Sequence, residues 1–446
     1  MRKTFVIAII SLAINAMAQD TPREWSLENC ITYAMDNNLQ LKQKRVSVKI
    51  SETDVEARKG ALLPTVSFST GQNGSFRPWS KSYVNITDGT MSSTSSELNY
   101  NGTYGVQAQW SVWNGGRNRK QLDRSRLTQK QSEVDVESTE LSLQEQIVQY
   151  YVQILYQREA VEVNKQVLAS TETLCDRAKT MYEVGQMSRA DYAQMQAQVS
   201  QEKYNVANAT SQLRSTILAL SQILQLPMDD NFDVATPNIT NEMLSAPIPS
   251  ANSVYEISKN LRPEIRYYRL GIEAADMDID IAKRGYLPTI GVSAGINTNN
   301  SSGMNDSFGT QLKNNLNNSL GLNISIPIFD GKQNSTNVAK AKLDRTNAEL
   351  ALELQEQQLY NDIETFYINA LNASEQYSSA LVSVESMRES YNLVSEQFSV
   401  GIKDIVDLTT GKNNLLQAEQ QLLQAKYTSV LNRALLNFYQ GMPFNI

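Results

Sequence analysis

The sequence contains no histidine. That single absence removes the commonest general base and the commonest metal ligand. Two cysteines, Cys30 and Cys175, are too few for a disulfide framework and wrong for a zinc site. With no nucleophile motif and no metal cluster either, no catalytic residues, metal or cofactor are expected, and an enzyme is the least favoured class. Basic residues are in deficit, 40 Lys and Arg against 47 Asp and Glu. Phosphate binding needs basic patches, so nucleic acid is not expected as a partner. Beyond the N-terminus no run of about 20 apolar residues occurs, and no transmembrane helix is expected. Between Arg117 and Val184 there is neither proline nor glycine. A helix there could run for roughly 67 residues, or about 100 Å at 1.5 Å per residue.

What the chain does contain is a long internal repeat, which fixes architecture before any local motif is weighed. Trp113-Asn114-Gly115 answers Phe329-Asp330-Gly331 at an offset of 216 residues. At the same offset Tyr182 to Gly185 answers Phe398 to Gly401, Asp191 answers Asp407, and Leu226-Pro227 answers Met442-Pro443. Upstream, Gly60 to Pro64 faces Gly285 to Pro288 at an offset of 224 or 225, a slip that one loop insertion explains. The unit reads as helix, strand, strand, long helix, turn, helix. Residues 1–18 stand outside it. Arg2 and Lys3, an apolar stretch from Phe5 to Ile14 and the small-x-small site Ala16-Met17-Ala18 form a secretory signal, so an exported product is expected. Its removal leaves 38 basic against 47 acidic residues. No cysteine follows the cleavage site, so no lipid anchor is expected there. The boundaries are then a first repeat over 19–226, a linker over 227–250 marked by Pro227, Pro237, Pro247 and Pro249, and a second repeat over 251–446.

Each half carries two segments of period-two alternation. Val66, Phe68 and Thr70 open the first, and Tyr100 to Val112 in steps of two form the second. Their counterparts are Ile290 to Ile296 and Leu320 to Ile328. One face is apolar; the other is Gly, Ser, Asn and Gln without charge. A soluble sheet on a core would alternate too. The uncharged polar face suits a lumen, however, and Tyr100, Trp110 and Trp113 sit where an interfacial girdle would. The intervening stretches 71–99 and 297–319 read as long surface loops. Four strands cannot close a barrel, since about eight is the minimum. Two chains would supply eight strands and three would supply twelve; for a conduit, three is the smaller workable number.

From Lys332 to Phe398 apolar residues recur in steps of four and three, unbroken from Leu359 onward, and Leu143 to Tyr182 repeat the pattern with Gln157, Asn164 and Thr171 interrupting it. A sustained 3.5-residue period specifies supercoiled helices. Cys175 occupies one heptad position and Cys30 lies on the first helix, both reading as small apolar residues. Shorter helices are expected over about 27–60, 188–226, 253–285 and 404–440. Each long helix ends at a glycine, Gly185 or Gly401. Ser188-x-x-Asp191 and Asp404-x-x-Asp407 then resemble capping boxes. Capping alone accounts for these residues at up to about 1 kcal/mol each. If three chains surround an axis, the tips also bring acids into a ring, with Lys403 and Arg189 near enough in sequence to oppose them. Spacing leaves open which of them face the axis.

The run from Val400 to Asp407, its weaker copy from Val184 to Asp191, and the strand exit Ile326-Pro327-Ile328-Phe329-Asp330-Gly331 together resemble the TolC-like outer-membrane efflux proteins. The resemblance spans the whole mature chain. It implies an α+β, mostly α fold: a homotrimer whose twelve strands form one β-barrel in outer-membrane lipid, continuous with a periplasmic helical coiled-coil barrel closed at the tips. The implied partners are a periplasmic adaptor and an inner-membrane pump or exporter. By position, Lys403 matches a gate-locking base and Phe398 an aromatic beside it. Asp407 matches a constriction acid and Asp191 an acid on the neighbouring tip. The family's second constriction acid is Thr410 here, which implies weaker cation selectivity unless Asp404 compensates. Two rivals differ in class. An exported coiled-coil scaffold or adhesin stalk needs only the heptads and leaves the strands unexplained. A periplasmic adaptor would need lipoyl-like and barrel modules, which the sequence lacks.

Overall fold

The computed structural model describes residues 24–76, 83–87, 90–94, 98–227, 232–304 and 306–444. The expected signal segment lies outside them. The first repeat runs α1 (Leu27–Asn37), α2 (Leu39–Gly60), β1 (Thr65–Phe76), β2 (Tyr83–Thr87), β3 (Thr90–Thr94), β4 (Leu98–Asn114), α3 (Arg117–Glu183) and α4 (Arg189–Leu224). After α5 (Asn241–Ser245), the second runs α6 (Ala251–Leu261), α7 (Pro263–Lys283), β5 (Thr289–Ser301), α8 (Phe308–Asn314), β6 (Asn317–Ser325), α9 (Gln333–Ser399) and α10 (Ile405–Tyr439). Both long helices have 67 residues. No described helix is long and apolar enough to cross a membrane.

Each helix ahead of a strand pair is broken, where the sequence suggested one piece. Asn38 interrupts the first with extended backbone (ψ 128°), and its side-chain amide donates to the Ile223 carbonyl at 3.0 Å. Pro263 interrupts the second by forcing Arg262 out of helical geometry (ψ 128°). The two breaks fall at matching places in the repeat.

The described residues form two compact units. One comprises residues up to 39 with 140–258 and 362–446. Its core packs Leu27, Cys30 and Ala34 of α1 against Ile147, Tyr151, Ile154 and Leu155 of α3 and Leu220 and Leu224 of α4. Cys30 is fully buried, which pushes its thiol up to about 12, so it is inert packing as expected. The expected linker is more than a tether. Val234 pairs with Trp25 in a parallel bridge, Arg158 donates to Asp233, and the Tyr151 hydroxyl donates to the Ala235 carbonyl at 2.7 Å.

The other unit, 40–139 with 259–361, holds the sheet. Its antiparallel order is β1-β4-β5-β6, with β2 and β3 a separate hairpin. Register aligns like with like. Phe68, Val106 and Ile296 sit opposite one another on one face, as do Val292 and Leu322; Ser69, Gly105 and Asn297 do so on the other. The apolar face is exposed on the protomer, Phe68 at 67 % and Leu320 at 82 %. The strands differ from expectation in three ways. A register shift between Ser111 and Trp113 leaves Val112 as the extra residue of a bulge, so Trp113 pairs with Ile290 and rejoins Trp110 on the apolar face. Strand β6 ends at Ser325, ahead of Pro327, which has no N–H to extend a ladder. The described residues of the expected loops hold secondary structure: β1 and β4 continue into 71–99, which also carries β2 and β3, and α8 lies within 297–319.

Candidate functional site

At residue level the two helix tips are built alike and charged differently. Helix α3 stops at Gly185 and α9 at Gly401, both at φ 76°, a conformation that a side chain penalises. At each, two backbone hydrogen bonds close the helix: Gly185 to Tyr182 and Gln186 to Met181, then Gly401 to Phe398 and Ile402 to Gln397, all at 2.8–3.0 Å. The next helix starts at once. Ser188 caps α4, accepting from the Asp191 N–H at 3.1 Å and donating to the Asp191 carboxylate at 2.8 Å. Asp404 caps α10 with one oxygen that accepts from the Val406 and Asp407 N–H groups, both at 2.9 Å.

The sequence substitution of Asp404 for Ser188 changes what the third residue of the next helix can do. Asp191 is held by its own cap. Asp407 is released from that duty and pairs with Lys403, Nζ to Oδ2 at 2.9 Å. The hydrogen bond and charge of Asp407, helped by Asp404, hold the exposed Lys403 ammonium above its ordinary range. Arg189 is exposed in the first turn of α4, and Thr410 is exposed on α10.

Beneath the tips the two hairpins pack together. Leu174 and Ala178 of α3, Met195 of α4, Tyr391 and Phe398 of α9, and Ile405 and Leu408 of α10 form one buried cluster. Phe398 is 2 % exposed, a core residue of its own chain. Its repeat partner Tyr182 is half-exposed and stacks on Tyr192 at 5.6 Å. Cys175 lies against this cluster, and burial and the neighbouring Asp176 and Glu172 raise its thiol.

One feature escaped the sequence reading. Lys412 of α10 reaches Glu202 of α4, Nζ to Oε1 at 2.6 Å, with side chains only 6 % and 2 % exposed. Gln198 donates to the same oxygen at 2.7 Å and Asn205 to the other at 3.0 Å. Burial alone would raise the Glu202 carboxyl; the hydrogen bonds from Lys412 and Gln198 outweigh it and hold the group below the usual range. The signal was available in the spacing. Lys412 follows Ile405 and Leu408 by heptad steps and Glu202 lies seven residues after Met195, so each charge occupies a core slot. A second link joins the hairpins on the same helix: Lys426 and Tyr427 of α10 both donate to Glu159 of α3 at 2.7 Å.

No group of three or more metal-ligating carboxylates or cysteines exists among the described residues. The outer membrane efflux protein family matches residues 30–225 and 254–441, nearly all of both repeats. The chain belongs to the outer membrane efflux protein family. The outer membrane efflux protein BepC of Brucella suis biovar 1 is 21 % identical over 437 residues, covering 98 % of this chain and 90 % of that one. Among solved structures, CusC superposes with a TM-score of 0.78 at 15 % identity, over 94 % of this chain and 92 % of that one. The Campylobacter jejuni CmeC outer membrane channel gives 0.76 at 18 %, over 94 % and 87 %. The family is one of channels, and membership places this protein in the outer membrane as an efflux protein of mostly helical fold with a small antiparallel sheet.

Proposed function

We propose that the protein is the passive exit duct of a tripartite efflux or type I secretion system, with no catalysis of its own. The observation that carries this reading is the four-stranded sheet, exposed and apolar on one face and wholly uncharged and polar on the other. One chain cannot close it, and three chains give a twelve-stranded barrel with a polar lumen. On β4, Tyr100 and Trp110 lie ten residues apart on the apolar face, about 34 Å of strand. At a tilt near 40° that spans about 25 Å of height, the apolar band of an outer-membrane barrel. Residues 1–18 are then the export signal, and 19–226 and 251–446 two repeats joined by 227–250. The long hairpins enter the periplasm, and their tips meet a periplasmic adaptor coupled to an inner-membrane pump. Exposed Val184, Val400, Ile402 and Val406 suit such a contact.

Closure is assigned to the tips. Lys403, Asp404 and Asp407 form the charged constriction, Arg189 and Asp191 flank it on the other tip, and Phe398 supports it from the core. The purified protein is expected to give a hollow, three-fold particle with a detergent belt in electron microscopy. A solid rod without a belt would remove the barrel and favour a coiled-coil stalk. Asp407→Ala is expected to lower cation preference, read as a smaller reversal potential across a planar bilayer in a salt gradient. An unchanged reversal potential would take Asp407 out of the constriction.

A further inference from the structure

The described residues of 302–316 turn back over the sheet, and the face they cover decides their role. Phe308 of α8 packs edge-on against Tyr104 at 6.3 Å. The Thr298 hydroxyl donates to the Leu312 carbonyl at 2.7 Å. Tyr104 and Thr298 are direct partners across β4 and β5, and they share the face of Val106 and Ile296. Helix α8 therefore lies on the apolar side of the sheet, away from the polar face assigned to the lumen. Tyr100 marks the edge of the apolar band, and Tyr104, four residues further in, lies about 10 Å below it along the tilted strand.

Several polar groups of the segment are tied down within the chain. Gln311 is buried; its amide oxygen accepts from the Ser301 N–H at 2.8 Å and its nitrogen donates to the Asp306 carbonyl at 2.8 Å. Asn315 donates to the Asn299 carbonyl at 2.8 Å, and Ser302 and Tyr100 exchange two hydrogen bonds of 2.8 Å. These ties satisfy the backbone groups that they join from within the chain, as lipid contact favours. Outside them the segment exposes Met304, Phe308 and Leu316 together with Asp306, Ser307, Thr310, Lys313 and Asn314, the mixed surface that a water–lipid boundary accommodates.

We infer that α8 is an interfacial anchor, seated on the lipid-facing side of the barrel rim and immersed at the headgroup–acyl boundary of the outer leaflet. The occupant of its exposed face is membrane lipid, continuous with the lipid against the sheet. Met304, Phe308 and Leu316 enter the acyl boundary, and the Lys313 stem lies along it with its ammonium among the headgroups. This inference rests on the barrel reading.

Spin labels at Gly309→Cys and, separately, Leu322→Cys would be compared in the full mature protein in liposomes, with Cys175→Ala and the buried Cys30 retained. Position 309 has open space around it. The label at 309 is expected to collide with oxygen several-fold more than with a water-soluble nickel chelate, at a shallower depth than the label at 322. Equal access to nickel and to bulk water at 309, with lipid access at 322, would overturn the anchor and leave the barrel standing. Water access at both positions would remove the barrel itself. Low access to both reagents at 309 would mean that a protein neighbour, such as a second copy, covers α8, and would also overturn the inference.

Discussion

Lys412→Met is expected to cost the protein roughly 3–5 kcal/mol, because it strands the Glu202 carboxylate in a site only 2 % exposed. Gln198 and Asn205 remain as donors but carry no charge. The apolar double variant Glu202→Leu/Lys412→Met removes both charges together. It is expected to recover most of the loss, since a buried pair replaced by packed hydrocarbon is often neutral or better. Apparent melting temperatures by far-UV circular dichroism in detergent would decide it. A single variant as stable as wild type would show the pair to be hydrated and slack. Acid separates the variants further. Glu202 titrates below its usual value in the folded chain, so its stabilisation is complete above the unfolded pKa of about 4.3 and is lost as the pH falls through the folded value. Below about pH 4 the gap between wild type and the double variant should shift in favour of the variant, which carries no charge to lose.

Lys403→Ala is expected to raise single-channel conductance in planar bilayers. In one chain Lys403 neutralises Asp407 at 2.9 Å. Removing it leaves Asp404 and Asp407 on the α9–α10 tip of each chain with no base on that tip to oppose them. Three copies around an axis would then repel, and the tips would spread. The cap itself survives, because Asp404 and not Lys403 accepts the N–H groups of α10. Conductance equal to wild type would exclude Lys403 as a lock, and intact helicity in the variant would show that folding was not the cause.

The sequence made the large elements legible because each is written in repetition. The proline-free stretch after Arg117 and the heptads up to Phe398 predicted two helices whose lengths the structure matches. Alternation placed the strands, and the cap pattern at Ser188 and Asp404 located both turns. What stayed hidden depended on single residues acting against a pattern. The bulge at Val112 moves Trp113 to the opposite face, yet the run reads as unbroken alternation. Pro263 and Asn38 break helices whose periodicity continues across them. Glu202 and Lys412 stand in heptad core slots, but residue type alone reads them as surface charges. Helix α8 carries too few residues for a period to stand out from a polar loop.

The matched lengths of α3 and α9 make the hairpins a pair of rulers cut to one measure. Each tip is held level with the other by the shared cluster of Leu174, Met195, Phe398 and Ile405. One heptad added to α3 alone would carry its tip about 10 Å beyond its neighbour, out of reach of that cluster. Reach can therefore change only in concert, by equal insertions in both repeats and in the returning helices α4 and α10. Point substitutions can retune charge at the tips one residue at a time. Length is inherited as a block.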